Sequence, residues 1–124
     1  MKKIQFLFIL LFISASLTIV AQESTSPKIE TVKVWGNCGM CQSKIEKAAI
    51  KSGATTAKWD EETKILLVSF TSSKSSIQKI EKAIAKVGYD TQNETAPVSA
   101  YDNLPGCCQY ERKGSAPKES NEPN

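Results

Sequence analysis

Four thiols carry the soft-metal and redox chemistry of this sequence, and they come as two pairs. Cys38 and Cys41 have two residues between them in the stretch VWGNCGMCQSKIEK, and Cys107 and Cys108 are adjacent in NLPGCCQYERK. Two thiolates at the first spacing can pinch one soft metal ion or close a disulfide. Adjacent cysteines have α-carbons about 3.8 Å apart across a trans peptide, below the usual disulfide range. A Cys107–Cys108 bond would therefore be strained, and that pair is better used for ligation or for bonding elsewhere. Four thiolates brought together would hold zinc tetrahedrally, or a Cu(I) cluster. The chain has no histidine, which excludes a mixed Cys/His zinc finger. Met40, between the first two cysteines, offers a thioether that Cu(I) accepts, although a methionine is more often an adaptable packing residue.

The elements around the first pair must place it. Residues 29–35 alternate as a strand, with Val32 and Val34 on one side and Ile29, Lys33 and Trp35 on the other. Gly36 and Asn37 permit a sharp turn. Residues 41–52 follow as a helix with Ile45, Ala48 and Ala49 on its apolar stripe and Lys44, Glu46, Lys47 and Lys51 toward water, ended by Gly53. The thiols thus sit where a loop leaves a strand and enters a helix. The unpaired N–H groups there favour thiolate, most directly at Cys41. A second strand over 54–59, with Ala57 and Trp59 on one face, a polar turn over 60–63 and an apolar third strand over 64–70, central and buried, come next. A polar linker with a serine cap, 72–76, leads to a second amphipathic helix marked by Ile77, Ile80, Ile84 and Val87 and stopped by Gly88. Residues 89–94 complete the order as a short edge strand. This is an α+β, ferredoxin-like βαββαβ sandwich: an antiparallel four-stranded sheet with both helices on one face.

The Cys-x-x-Cys at the end of the first strand, the helix opening Cys41-Gln-Ser-Lys-Ile-Glu-Lys-Ala and the closing Val87-Gly88-Tyr89-Asp90 resemble the heavy-metal-associated domain family. That family comprises copper chaperones, metal-binding domains of copper-transporting ATPases and periplasmic mercury-binding proteins. The resemblance covers about half the chain. It implies that Cys38 and Cys41 are the primary ligands of Cu(I), or of Hg(II) as in the mercury proteins, and that Tyr89 lies near the metal loop; Zn(II) and Cd(II) are further soft-metal alternatives for the same thiolates. The family's Gly-Met before the first cysteine, whose Met plugs the core beneath the loop, is replaced here by Trp35 and Gly36. A metal-transporting membrane protein or efflux component is the partner the resemblance suggests.

The ends of the chain add context. Residues 1–21 read as a signal peptide: Lys2 and Lys3, an apolar run, and a small-residue cleavage point at Ala21. Cleavage would place the protein in the periplasm or outside the cell; without it the segment would be the sole membrane contact. Removing two lysines and no acid lowers the net charge from +3 to +1, which is no footprint for nucleic acid. Residues 22–28 form a flexible leader, 29–94 the domain, 95–112 a cysteine-containing extension and 113–124 a polar, disordered tail. In the extension, Tyr101, Leu104, Cys107, Cys108 and Tyr110 cluster apolar groups that a solvated linker does not need. A dozen residues can return Cys107 and Cys108 to the first pair, where they would add ligands. Against metal binding stands the oxidising compartment, in which Cys38 and Cys41 could pair as a thiol–disulfide oxidoreductase. WGNCGMCQ has a superficial likeness to a thioredoxin site, but only one strand precedes it here. The reading is a soft-metal carrier or scavenger that passes its ion on by thiolate exchange, not an enzyme.

Overall fold

The computed structural model describes residues 26–114; the segment read as a signal peptide, most of that read as a leader and most of that read as a polar tail lie outside them. The elements run β1 (Lys28–Lys33), α1 (Gly39–Lys51), β2 (Thr56–Trp59), β3 (Ile65–Phe70), α2 (Ile77–Lys86) and α3 (Val98–Asp102), followed by a turn of 3-10 helix at Gly106–Cys108. The sheet is antiparallel in the order β1-β3-β2. Val32 stands opposite Leu66 in one ladder, and Trp59 opposite Leu66 in the other.

Period-2 alternation decides which face is covered. Val32, Leu66, Val68 and Phe70 are buried against Ile45, Ala49, Ile80 and Ile84 of the two helices. Full burial of each such side chain contributes about 1.5–3 kcal/mol. β3 is central, as its composition predicts, but only one of its faces is buried. Leu67 is 46% exposed and Ile29 of β1 is 71% exposed on the opposite face.

The expected fourth strand at 89–94 is not formed among the described residues. The segment makes a single antiparallel bridge, Val34 to Thr91. Trp35 N–H donates to the Asp90 carbonyl at 2.9 Å and Gln92 N–H to the Lys33 carbonyl at 2.8 Å. The chain then turns on itself: Thr91 N–H reaches the Glu94 carbonyl at 2.8 Å, and Glu94 N–H reaches Thr91 Oγ1 at 3.1 Å. Asp90 N–H goes to the Tyr110 hydroxyl at 2.7 Å. Backbone groups that a strand would place in the ladder are used by a turn and by the extension.

Both helices stop at glycine, as expected. Gly88, at φ +113°, is the more constrained, because a Cβ there would lie 2.8 Å from the Ala100 carbonyl oxygen and 3.1 Å from Leu104. The extension packs directly on this stop. Ser76 caps α2 with its hydroxyl accepting from Lys79 N–H at 3.2 Å. In α1, Glu46 does not simply face water. Its carboxylate accepts from Trp59 N–H and from Gln42 Nε2, both at 2.9 Å, and ties α1 to β2.

Candidate metal centre

Helix α1 begins at Gly39, two residues before the expected start, because Cys38 takes the extended N-cap conformation (φ −140°, ψ −179°). Its carbonyl accepts the first helical bond from Gln42 N–H at 3.0 Å. Cys38 Sγ is thereby left at the mouth of the loop, half-buried, while Cys41 lies in the first turn with its side chain fully buried. The two sulfurs are 3.9 Å apart and both thiols are free. A metal about 2.3 Å from each would subtend an angle of about 116°, between tetrahedral and trigonal.

Beneath the loop, the place expected to lack its methionine plug is filled by Trp59. A Cβ on Gly36 would come within 3.1 Å of the Trp59 ring and 3.2 Å of Ile45. The indole Nε1–H donates to the Val34 carbonyl at 3.0 Å. A plug from β2 thus supports the strand end that carries the loop.

The extension returns to the loop and separates the second cysteine pair. Cys108 is fully buried, and the Sγ atoms of Cys38, Cys41 and Cys108 all lie within 4.8 Å of one another. Cys107 is exposed. Its carbonyl accepts from Cys38 Sγ at 3.7 Å, and its own sulfur is 4.0 Å from Met40 Sδ. Met40 is 50% exposed. Of the candidate residues, three thiols converge, and Cys107 with Met40 stand outside them.

Tyr89 lies beside the cluster, as the resemblance implies. It is fully buried, its hydroxyl has no hydrogen-bond partner of ordinary geometry, and the sulfurs of Cys41 and Cys108 are beside it. Burial, reinforced by these two cysteines, pushes the phenol well above its usual range. Burial also pushes the Cys108 thiol up to about 12. At Cys41 burial acts in the same direction, but is outweighed by the backbone groups of Asn37 and Cys38 and by the Cys108 and Tyr89 side chains, so its thiol lies below the ordinary value. Within this contacting pair, Cys41 is the more readily ionised.

A network that sequence reasoning missed anchors Cys108. The Tyr110 hydroxyl donates to the Gly88 carbonyl at 2.8 Å while accepting from Asp90 N–H. Its ring stacks on Tyr89 at 5.7 Å and meets the Tyr101 ring edge-on at 5.1 Å. Arg112 binds the buried Asp90 carboxylate. Lys113, placed by the sequence reading at the start of the polar tail, donates to the carbonyls of Thr91 at 2.6 Å and Glu94 at 2.8 Å. The available signal was that Arg112 is the chain's only arginine, the residue type suited to bidentate pairing.

No protein-family model matches the sequence, and no curated protein matches it. Solved structures do. Oxidized MerP from Ralstonia metallidurans is similar at 32% identity and TM-score 0.51, over 54% of this chain and 96% of that one. A Bacillus anthracis protein assigned as copper-ion-binding is similar at 28% identity and TM-score 0.52, over 56% and 100% of the two chains. The N-terminal domain of a proposed copper-translocating P-type ATPase from Bacillus subtilis, 20% identical with TM-score 0.50 over 58% and 99%, shares the fold. With this likeness over nearly the whole of MerP, and the Cys-x-x-Cys loop at its expected place in the fold, the chain belongs to the heavy-metal-associated domain family.

Proposed function

We propose that the protein is an exported carrier or scavenger of Cu(I), held by Cys38 and Cys41 with Cys108 as third thiolate. The observation that carries this reading is the convergence of those three sulfurs within 4.8 Å. Thiolates are soft ligands of the kind that take Cu(I). A trigonal ion would need the sulfurs drawn to about 4.0 Å from one another, a small contraction. Structural zinc takes four ligands, and the described cluster has three thiols. The copper assignment of the similar Bacillus anthracis protein points the same way.

The ion would leave by thiolate exchange, one sulfur at a time, to a metal-transporting membrane protein or efflux component. Binding displaces the thiol protons that the three cysteines still carry, and release restores them. Residues 1–21, read as a cleaved signal peptide, would direct the protein to the periplasm or the medium.

Native mass spectrometry of the reduced protein with Cu(I), Zn(II), Cd(II) and Hg(II) in competition tests the reading. One Cu(I) per chain is expected, with three sulfurs around it by X-ray absorption. Cys38→Ser and Cys41→Ser should abolish tight binding, and Cys108→Ser should reduce the sulfur count to two. Preferential uptake of Hg(II) would move the assignment to a mercury carrier, and thioredoxin-like turnover of insulin disulfides would move it to an oxidoreductase.

A further inference from the structure

We propose that Cys107 and Met40 form an outer two-sulfur site through which a soft monovalent ion enters and leaves the three-thiol cluster. This rests on the metal-carrier reading above and adds a route to it.

The geometry repeats itself across the contact. Met40 immediately precedes Cys41, and Cys107 immediately precedes Cys108. In each dipeptide the first residue is exposed and the second is fully buried. The two exposed sulfurs are 4.0 Å apart. An ion about 2.3 Å from both would subtend an angle of about 120°, leaving its third position open to a donor. The Cys107 carbonyl, 3.7 Å from Cys38 Sγ, places this outer pair against the half-buried member of the inner set. Cys41 and Cys108 have no exposed surface, so an ion arriving on another thiol meets Cys107, Met40 and the rim of Cys38 first.

Softness and charge give the route a direction. One thiolate and one neutral thioether hold Cu(I) more weakly than three thiolates. An all-thiolate outer site would retain the ion. On arrival, the Cys107 thiol passes its proton to the departing donor thiolate as the Cys107–Cu bond forms and the donor–Cu bond breaks. Bonds to Cys38, Cys41 and Cys108 then form, and their remaining thiol protons leave to solvent, as the Cys107–Cu and Met40–Cu bonds break; the freed Cys107 thiolate takes a proton back and the Met40 thioether is left neutral. Copper stays Cu(I) throughout. Release reverses these steps.

The test measures Cu(I) transfer from the reduced full chain to a colorimetric Cu(I) chelator, with equilibrium competition against the same chelator. Cys107→Ser and Met40→Leu should each slow transfer by about tenfold, about 1.4 kcal/mol on the transfer barrier, while stoichiometry and equilibrium affinity stay at the wild-type level. Cys107→Met, which restores a soft donor, should recover much of the rate. Leucine keeps the apolar bulk at position 40, so a packing role alone predicts no change there. Protection of Cys108 from alkylation reports that the extension is still docked. Wild-type rates in Met40→Leu and Cys107→Ser would overturn the proposal, as would slowing that comes with loss of Cys108 protection or of affinity. If the wild-type chain takes up no Cu(I), the carrier reading falls with it. If it binds one Cu(I) and the variants exchange normally, the outer site alone falls.

Discussion

Arg112 closes on Asp90 through two bonds, Nε to Oδ2 at 3.0 Å and Nη2 to Oδ1 at 2.7 Å, and so ties the end of the extension to the segment after α2. The Asp90 side chain is 1% exposed and that of Arg112 19%. The same carboxylate accepts from Ala96 N–H at 2.8 Å, and Arg112 also donates to the Ala96 carbonyl. Removing one partner of a buried pair strands the other, at about 3 kcal/mol or more. Arg112→Ala should therefore release the extension and expose Cys108. Thiol alkylation followed by mass spectrometry should show Cys108 reacting about a hundredfold faster, the population change that such a loss implies.

The same pair sets an acid limit. Burial pushes the Asp90 carboxyl up, but its bonds with Arg112 and Ala96 N–H outweigh this and hold it below the ordinary carboxylate range. A depressed folded-state value stabilises above the unfolded value of about 3.9. That contribution is lost as pH falls below it and through the folded value. Arg112 remains charged throughout. Docking of the extension should thus be constant from neutral pH down to about 4 and weaken below it. Asp90→Asn should lose this particular acid dependence while docking less firmly at neutral pH. Tyrosine fluorescence or Cys108 protection against pH checks both.

Tyr110→Phe isolates the hydroxyl from the ring. The ring contacts to Tyr89 and Tyr101 survive, but the Gly88 carbonyl and Asp90 N–H lose their shared partner. Leaving such buried groups unsatisfied costs about 1–3 kcal/mol. Chemical denaturation should show a lower midpoint for this variant. Tyr89→Phe should cost less in the same measurement, because that hydroxyl contacts only the weakly accepting sulfurs of Cys41 and Cys108.

Trp59→Ala should cost about 3–5 kcal/mol. It empties the space beneath Gly36 and removes the bond to the Val34 carbonyl. Because the loop rests on that strand end, the variant should also bind Cu(I) with a broader, less uniform sulfur environment by X-ray absorption. Gly36→Ala acts on the same contact from the other side, forcing Trp59 and Ile45 to shift, and overpacking costs about 1–3 kcal/mol. Thermal unfolding of both variants measures the two effects.

Local pattern was enough for β1, α1, β3 and α2, but not for the short helix α3 (Val98–Asp102) or the 3-10 turn after it, which the extension's composition did not announce. The alternation of β1, the 3.6-residue stripes of α1 and α2, the Ser76 cap and the glycine stops depend on dihedral preference and side-chain period, which neighbouring residues carry by themselves. The placement of Cys38 and Cys41 between β1 and α1 follows from the same information. Residues 89–94 were placed in the sheet by the order of the elements, yet beyond one bridge to Val34 their backbone bonds go to a turn and to Tyr110, twenty residues on in Asp90's case. Trp59 as the plug, Glu46 as the tie between α1 and β2, and the sorting of Cys108 inward and Cys107 outward depend on contacts between segments far apart in the chain. Adjacent cysteines are equivalent in a sequence. Only the direction in which the extension crosses the loop, set by Tyr110, Asp90 and Arg112, decides which sulfur is buried beside Cys41 and which faces water.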